Sequence, residues 1–259
     1  LGMKLERNRE NNIKSIFISQ PGYTDEIIRT MIPPVEKVYE TPYTSDILMI
    51  HSENNQQNKL NDKDKKFFRS QLMKLLFLTR SRADIKFPTI MLTTKMEEPT
   101  NNDMVHLQRI VGYLSGTSKL GITLKPNNYQ LSCEADASFG IHKDGKGHNG
   151  GICYIGNSVY KVETSKQALV GKSSTECELI SLNKIIEQII WSKYLLEECG
   201  YKQNIIKIGQ DNKSTITMAI NGSGKVGRTK HINVRFYFVK QFIDNKDVEL
   251  VYIPSIEMV

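Results

Sequence analysis

Three acids, Asp136, Glu178 and Asp211, stand where side-chain chemistry is within reach. Asp136 ends a strand-like run that begins at Tyr129, and Asp211 ends a second such run that begins at Ile205. Glu178 lies near the start of the strongest helical pattern in the chain. The order strand-end acid, helix acid, strand-end acid can bring carboxylates together on a pair of magnesium ions. Mg²⁺ takes hard oxygen ligands, and cleaving a phosphodiester requires the phosphate charge to be neutralised at close range. Metal-dependent phosphodiester hydrolysis is therefore the chemistry these residue types could perform.

Two glutamates compete for the helix position, and helix geometry separates them. At about 100° per residue, Leu182, Ile185, Ile186 and Ile189 form one buried stripe. Glu178 precedes Leu182 by four residues and lies along that stripe, whereas Glu176 points off it by roughly 160°. Glu176 completes a Ser-x-x-Glu capping box with Ser173, which gives it a structural role. A charged Glu178 facing the core needs a neutralising partner, either a cation or a buried salt bridge. Asp136 has a rival in Glu134 on the same strand face, and before Ala137-Ser138-Phe139-Gly140 it could instead start a turn. Asp211, followed by Asn212, could be a helix N-cap. His142 and His148 are read as solvated loop histidines, and Trp191 as a packing residue on the long helix.

The elements that must position these acids follow from hydropathy period and turn chemistry. Residues 126–259 read as strands at 129–137, 150–156, 158–164, 205–210 and 247–253. Helices are expected at 174–199, 212–220 and 230–245, a mixed α/β arrangement. Residues 1–125 form a separate segment. It opens with a hairpin over 1–20, followed by a short helix carrying Tyr23, Ile27, Ile28 and Met31. A polar loop over 52–63 leads to a broadly apolar helix over 64–79, and Asp84 is placed to cap the next helix. A further helix follows Pro99-Thr100 and stops at Gly116, and a strand runs from Lys119 to Leu124.

The 259 residues carry a formal charge of +7, with 39% hydrophobic residues. No apolar run approaches the roughly 20 residues of a membrane span. Between Asp211 and Asp244 there is no acid, and residues 59–82 carry eight Lys or Arg against Asp62 and Asp64. Such clusters suit nucleic-acid phosphates and equally suit a solvated basic surface. Arg228, Lys230, His231 and Arg235 gather where a helix begins, a candidate phosphate clamp. Cys133, Cys153, Cys177 and Cys199 are too widely spaced for a zinc knuckle and read as buried free thiols in a reducing compartment. The start, Leu1-Gly2-Met3-Lys4, has no leading Met and no signal pattern, so a segment cut from a longer protein is expected.

The pattern resembles the C-terminal part of copia-type LTR retrotransposon Pol polyproteins. The residues that carry the likeness are Ala135-Asp136-Ala137-Ser138, Gly145-Lys146-Gly147-His148-Asn149-Gly150-Gly151, Ser165-Lys166-Gln167 and Lys172-Ser173-Ser174-Thr175-Glu176-Cys177-Glu178-Leu179. Asp211-Asn212, Arg228-Thr229-Lys230-His231 and Val251-Tyr252-Ile253-Pro254 add to it. Upstream, Leu1 to Arg7, Phe68-Arg69-Ser70, Arg82-Ala83-Asp84-Ile85 and Leu107 to Leu114 resemble the reverse transcriptase thumb and connection. The likeness departs at Ala83, where the family often has Pro, and at Asn233, where it often has an acid.

The resemblance implies an RNase H-like mixed five-stranded sheet with flanking helices over 126–259. It implies a small, mainly helical thumb/connection region with an N-terminal hairpin over 1–125. It also implies cleavage of the RNA strand of an RNA–DNA hybrid. Asp136, Glu178 and Asp211 would be three of the family's four metal-binding acids, holding two Mg²⁺, with Mn²⁺ as the alternative ion. The fourth is an Asp on a last helix, and Glu257 does not match it, so truncation before that helix is expected. The implied partners are an RNA–DNA hybrid and the rest of the Pol polyprotein, with no membrane. The implied location is the cytoplasm, with a virus-like particle or the nucleus as alternatives. The competing reading is a retrotransposon remnant that binds nucleic acid without cutting, and a third is a purely structural connection module.

Overall fold

Alternating side chains at the start of the chain pair as antiparallel strands β1 (Lys4–Asn8) and β2 (Ser15–Ser19), with Leu5 opposite Ile18 and Arg7 opposite Ile16. The computed structural model describes residues 2–9, 14–48, 58–221 and 230–258, and only the backbone at 230–233. The contacts divide the chain into two units, Leu1–Lys125 and Pro126–Val259.

In the first unit Pro21 opens α1 (Pro21–Arg29), a position where its missing N–H costs nothing. Helix α2 (Asp62–Leu78) is capped by the Asn61 side chain, and α3 (Lys86–Thr93) follows a short 3-10 turn at Ala83–Ile85. Helix α4 (Asn101–Gly116) carries a full capping box between Thr100 and Asp103. Ile27, Phe68, Leu72, Leu107 and Ile110 form the core between these helices. Strand β3 (Ile122–Leu124) adds to β2, so the hairpin becomes a three-stranded sheet in the order β1-β2-β3.

Asp84 does not cap α3, whose N-cap is Ile85 with no side-chain bond. It accepts hydrogen bonds from Arg82 Nη2 at 2.7 Å and from the Tyr113 hydroxyl at 2.8 Å. Arg82 is 1% exposed. A buried guanidinium left without a carboxylate is far costlier than an uncapped helix, and that demand decides where Asp84 points.

The second unit is built on β4 (Leu131–Ser138), β5 (His148–Ile155) and β6 (Ser158–Lys166), an antiparallel meander. Helix α5 (Ser174–Glu198) then leads to β7 (Ile206–Gln210), which lies parallel to β4. Helices α6 (Lys213–Asn221) and α7 (Lys230–Asp244) precede β8 (Val248–Tyr252), parallel to β7. The strand order is β6-β5-β4-β7-β8. This is the mixed five-stranded sheet with flanking helices that the resemblance implied.

Cys133, Ala135, Ile206, Ile208 and Val248 face Leu182, Ile185, Ile186 and Ile189 of α5 in one core. The approach is tight at Gly151, where a Cβ would lie 2.2 Å from Ile185 Cδ1. A side chain there would have to displace the end of Ile185, so the glycine lets the helix lie close on the sheet.

Two expectations are corrected on α5. Trp191 is 66% exposed, beside exposed Tyr194 and Leu195. It lies two residues past Ile189, about 200° around the helix, and so faces outward. Cys199 is exposed rather than buried, because it is the C-cap residue beyond the last turn that touches the sheet. The other three cysteines are buried free thiols. Among the described residues no helix is long and apolar enough to cross a membrane.

Candidate metal centre

The parallel pairing of β4 with β7 sets Glu134 opposite Gly209, so the C-terminal ends of the two strands lie side by side. Two residues further on, each strand delivers an acid: Asp136 near the end of β4, and Asp211 directly after β7. Helix α5 begins with Ser173 as N-cap, its hydroxyl accepting from the Glu176 amide at 3.2 Å. Glu178 follows one turn into the helix and is 5% exposed. One carboxylate oxygen from each of Asp136, Glu178 and Asp211 lies within 4.8 Å of the others. They form the one cluster of three or more potential ligands among the described residues.

Each acid is held by neighbours. Glu178 Oε1 accepts from the Ala137 amide and Oε2 from Gln210 Nε2, both at 3.2 Å. The Ala137 amide also donates to Asp136 Oδ1 at 2.8 Å. Asp211 Oδ2 accepts from the Ser255 hydroxyl at 2.5 Å. Asp211 is not the cap of α6, because the Asn212 side chain accepts from the Thr215 amide at 3.0 Å. Glu134 is engaged by the Tyr154 hydroxyl at 3.1 Å. Glu176 half-completes the expected box: its carboxylate accepts from the Lys172 amide at 2.8 Å, one residue before Ser173.

Burial pushes the Glu178 carboxyl up to about 8, with the Asp136 charge adding to the effect, the Gln210 hydrogen bond opposing it and Asp211 adding again. Both charges acting on it are negative. Three hard oxygen donors that repel one another, one of them buried, form a donor set that fits a divalent cation.

Gln210 escaped the sequence reading. It is fully buried and touches Glu178, and its carbonyl accepts from the Asn212 amide at 2.9 Å. A neutral amide at the last position of a buried strand, beside an acid, was the available signal, since buried amides require partners.

His142 and His148 are not solvated. They are 3% and 4% exposed, with His142 Nε2 3.0 Å from His148 Nδ1 and His148 Nε2 2.7 Å from the Thr164 hydroxyl. The β4–β5 loop folds back on itself, His142 N donating to Lys146 O and Gly145 N to His142 O, and this carries the first imidazole inside. Burial, and then the neighbouring His142, lower His148 to about 4.

Of the four basic candidates, Arg228 lies outside the described residues. Lys230 and His231 open α7, where the backbone alone is described, and Arg235 is half-buried on the same helix.

No family model matches the sequence. Over 246 residues, 93% of the chain, it is 29% identical to the retrovirus-related Pol polyprotein from transposon RE2 of Arabidopsis thaliana. It is 23% identical over 262 residues to that from transposon TNT 1-94 of Nicotiana tabacum. These alignments span 16% and 19% of the two relatives' own lengths. Among solved structures it resembles LC11-RNase H1 isolated from compost, at 9% identity and a TM-score of 0.38, over 50% of this chain and 87% of that one. Prototype foamy virus protease-reverse transcriptase gives 15% identity and a TM-score of 0.31 over 76% of this chain and 25% of that one.

Proposed function

We propose that this chain, whose curated relatives are Pol polyproteins of plant retrotransposons, is the RNase H-type endonuclease segment of a copia-type polyprotein and cuts the RNA strand of RNA–DNA hybrids. The observation that carries this reading is the convergence of Asp136, Glu178 and Asp211 within 4.8 Å at the shared end of two parallel strands. Residues 126–259 would perform the chemistry, and residues 1–125 would be the thumb and connection segment of the same polyprotein.

Asp136, Glu178 and Asp211 would hold divalent cations, Mg²⁺ by preference and two in number. When bound, such cations neutralise phosphate charge and lower the pKa of a bound water. Asp136 is the exposed member, the side from which a backbone phosphate can approach. Glu178 is closed off behind it, its two oxygens aimed by Ala137 and Gln210. Arg228, Lys230, His231 and Arg235 are proposed to grip the phosphates of the hybrid, a contact that weakens as salt rises.

The test is cleavage of an RNA–DNA hybrid with Mg²⁺ and with EDTA, for the wild type and for Asp136→Asn. Cutting of the RNA strand that needs Mg²⁺ and disappears in the variant is the expected result. Cutting that survives the substitution rejects the centre, and hybrid binding without any cutting supports the binding-only remnant instead.

A further inference from the structure

The motif residues Gly147, Asn149 and Gln167 lie outside the acid cluster, yet they converge on the peptide that carries Glu178. Gln167 follows β6 and is 1% exposed. Its side-chain amide donates twice, to Asn149 Oδ1 at 2.9 Å and to the Cys177 carbonyl at 2.9 Å. That carbonyl belongs to the peptide unit joining Cys177 to Glu178. The Gln167 backbone amide donates to Gly147 O at 2.9 Å, which fixes the side chain's root. A Cβ at Gly147 would lie 2.7 Å from Gln167 Oε1 and 2.9 Å from Cys177 Sγ, so the glycine leaves the room that the amide occupies.

The other end of the brace reaches the metal centre by a second route. Asn149 is the β5 residue paired with Ala137 of β4, and the Ala137 amide donates to both Asp136 and Glu178. Asn149 is itself 5% exposed and donates to the Ser165 hydroxyl at 3.2 Å. One amide thus ties the first turns of α5 to the strand rung beside Asp136.

We propose that Gln167 is a positioning residue of the metal centre, setting Glu178 against Asp136 through the Cys177 carbonyl and Asn149. This rests on the metal-centre reading above. Losing the brace leaves all three carboxylates present but lets α5 shift on the sheet. The consequence is weaker cation binding, of the size that outer-shell partners control, roughly 10- to 100-fold.

The experiment is a Mg²⁺ titration of the whole chain without nucleic acid, followed by calorimetry and by amide chemical shifts. Gln167→Met keeps the length and loses both donors. Its Mg²⁺ dissociation constant is expected to rise about tenfold. A core variant of similar thermal cost, Ile186→Val, is expected to keep the wild-type value, which separates positioning from plain stability. An unchanged constant in folded Gln167→Met overturns the proposal while leaving the metal centre standing. If Gln167→Met does not fold, Asn149→Ala decides, since it removes the strand end of the brace and keeps the bond to Cys177. A raised constant supports the brace and an unchanged one rejects it. A wild type that binds no Mg²⁺ removes the metal-centre reading itself, and the brace with it.

Discussion

The side-chain amide of Gln210 donates to Oε2 of Glu178 at 3.2 Å, from the last position of the strand that also delivers Asp211. The same side chain accepts from the Asn212 amide, so it cannot rotate away without breaking both bonds. Gln210→Leu is expected to lower hybrid cleavage by about tenfold at limiting Mg²⁺, with partial recovery as Mg²⁺ is raised. Cleavage rates measured across a Mg²⁺ series check this. A loss that no Mg²⁺ concentration relieves would place the role of Gln210 elsewhere.

Glu178→Gln is expected to abolish Mg²⁺ binding and to stabilise the metal-free protein. The folded-state pKa of Glu178, about 8, lies above the ordinary carboxylate value of 4.5. The folded protein therefore keeps a proton that the unfolded chain releases, and stability falls as pH rises from 4.5 toward 8. The neutral amide lacks that slope, so the variant gains on the order of 1–3 kcal/mol at pH 8. Urea unfolding in EDTA at pH 5 and pH 8 measures the difference.

His148 gives the opposite sign at the acid end. Its pKa is lowered to about 4, so the unfolded chain takes up a proton before the folded one does. Its contribution is complete above pH 6.5 and is lost as pH falls toward 4, amounting to roughly 3 kcal/mol at most. His148→Gln is expected to flatten that part of the stability–pH curve, as read by urea midpoints between pH 7 and pH 4.

In the first unit, Arg82→Met is expected to destabilise by about 1–3 kcal/mol, because part-exposed Asp84 loses the buried guanidinium paired with it. Replacing Arg82 and Asp84 together by apolar residues of similar volume is expected to cost less than the single change. A double-mutant cycle on the urea midpoints checks both values.

What could be read ahead of the structure was governed by repeating patterns. The three-to-four spacing of Leu182, Ile185, Ile186 and Ile189 fixed which face of α5 is buried, and with it the choice of Glu178 over Glu176. The strand end before Asp211 was legible because the apolar run stops there, whereas β4 continues two residues past Asp136, to Ser138. The local cap roles offered as alternatives went to neighbours, to Asn212 rather than Asp211, because a cap needs only a short polar side chain one residue away. Other features depended on what a residue meets across the fold. Nothing local in His142 and His148 announces that the loop folds inward, and nothing near Asp84 reveals a buried guanidinium competing for it. The hydrophobicity of Trp191 suggests packing, yet its angle from the buried stripe places it on the far side of α5.

That outward face gives the protein an optical label of its own. Trp191 is the single tryptophan in 259 residues and sits on the same helix as Glu178. Its indole is open to water in the native state, so it will emit at long wavelength and be quenched readily by acrylamide before any unfolding. Emission intensity is therefore a poor gauge of denaturation for this chain. It is instead a sensitive gauge of anything that settles on the outer surface of the long helix, which would shift the emission to the blue and shield it from the quencher.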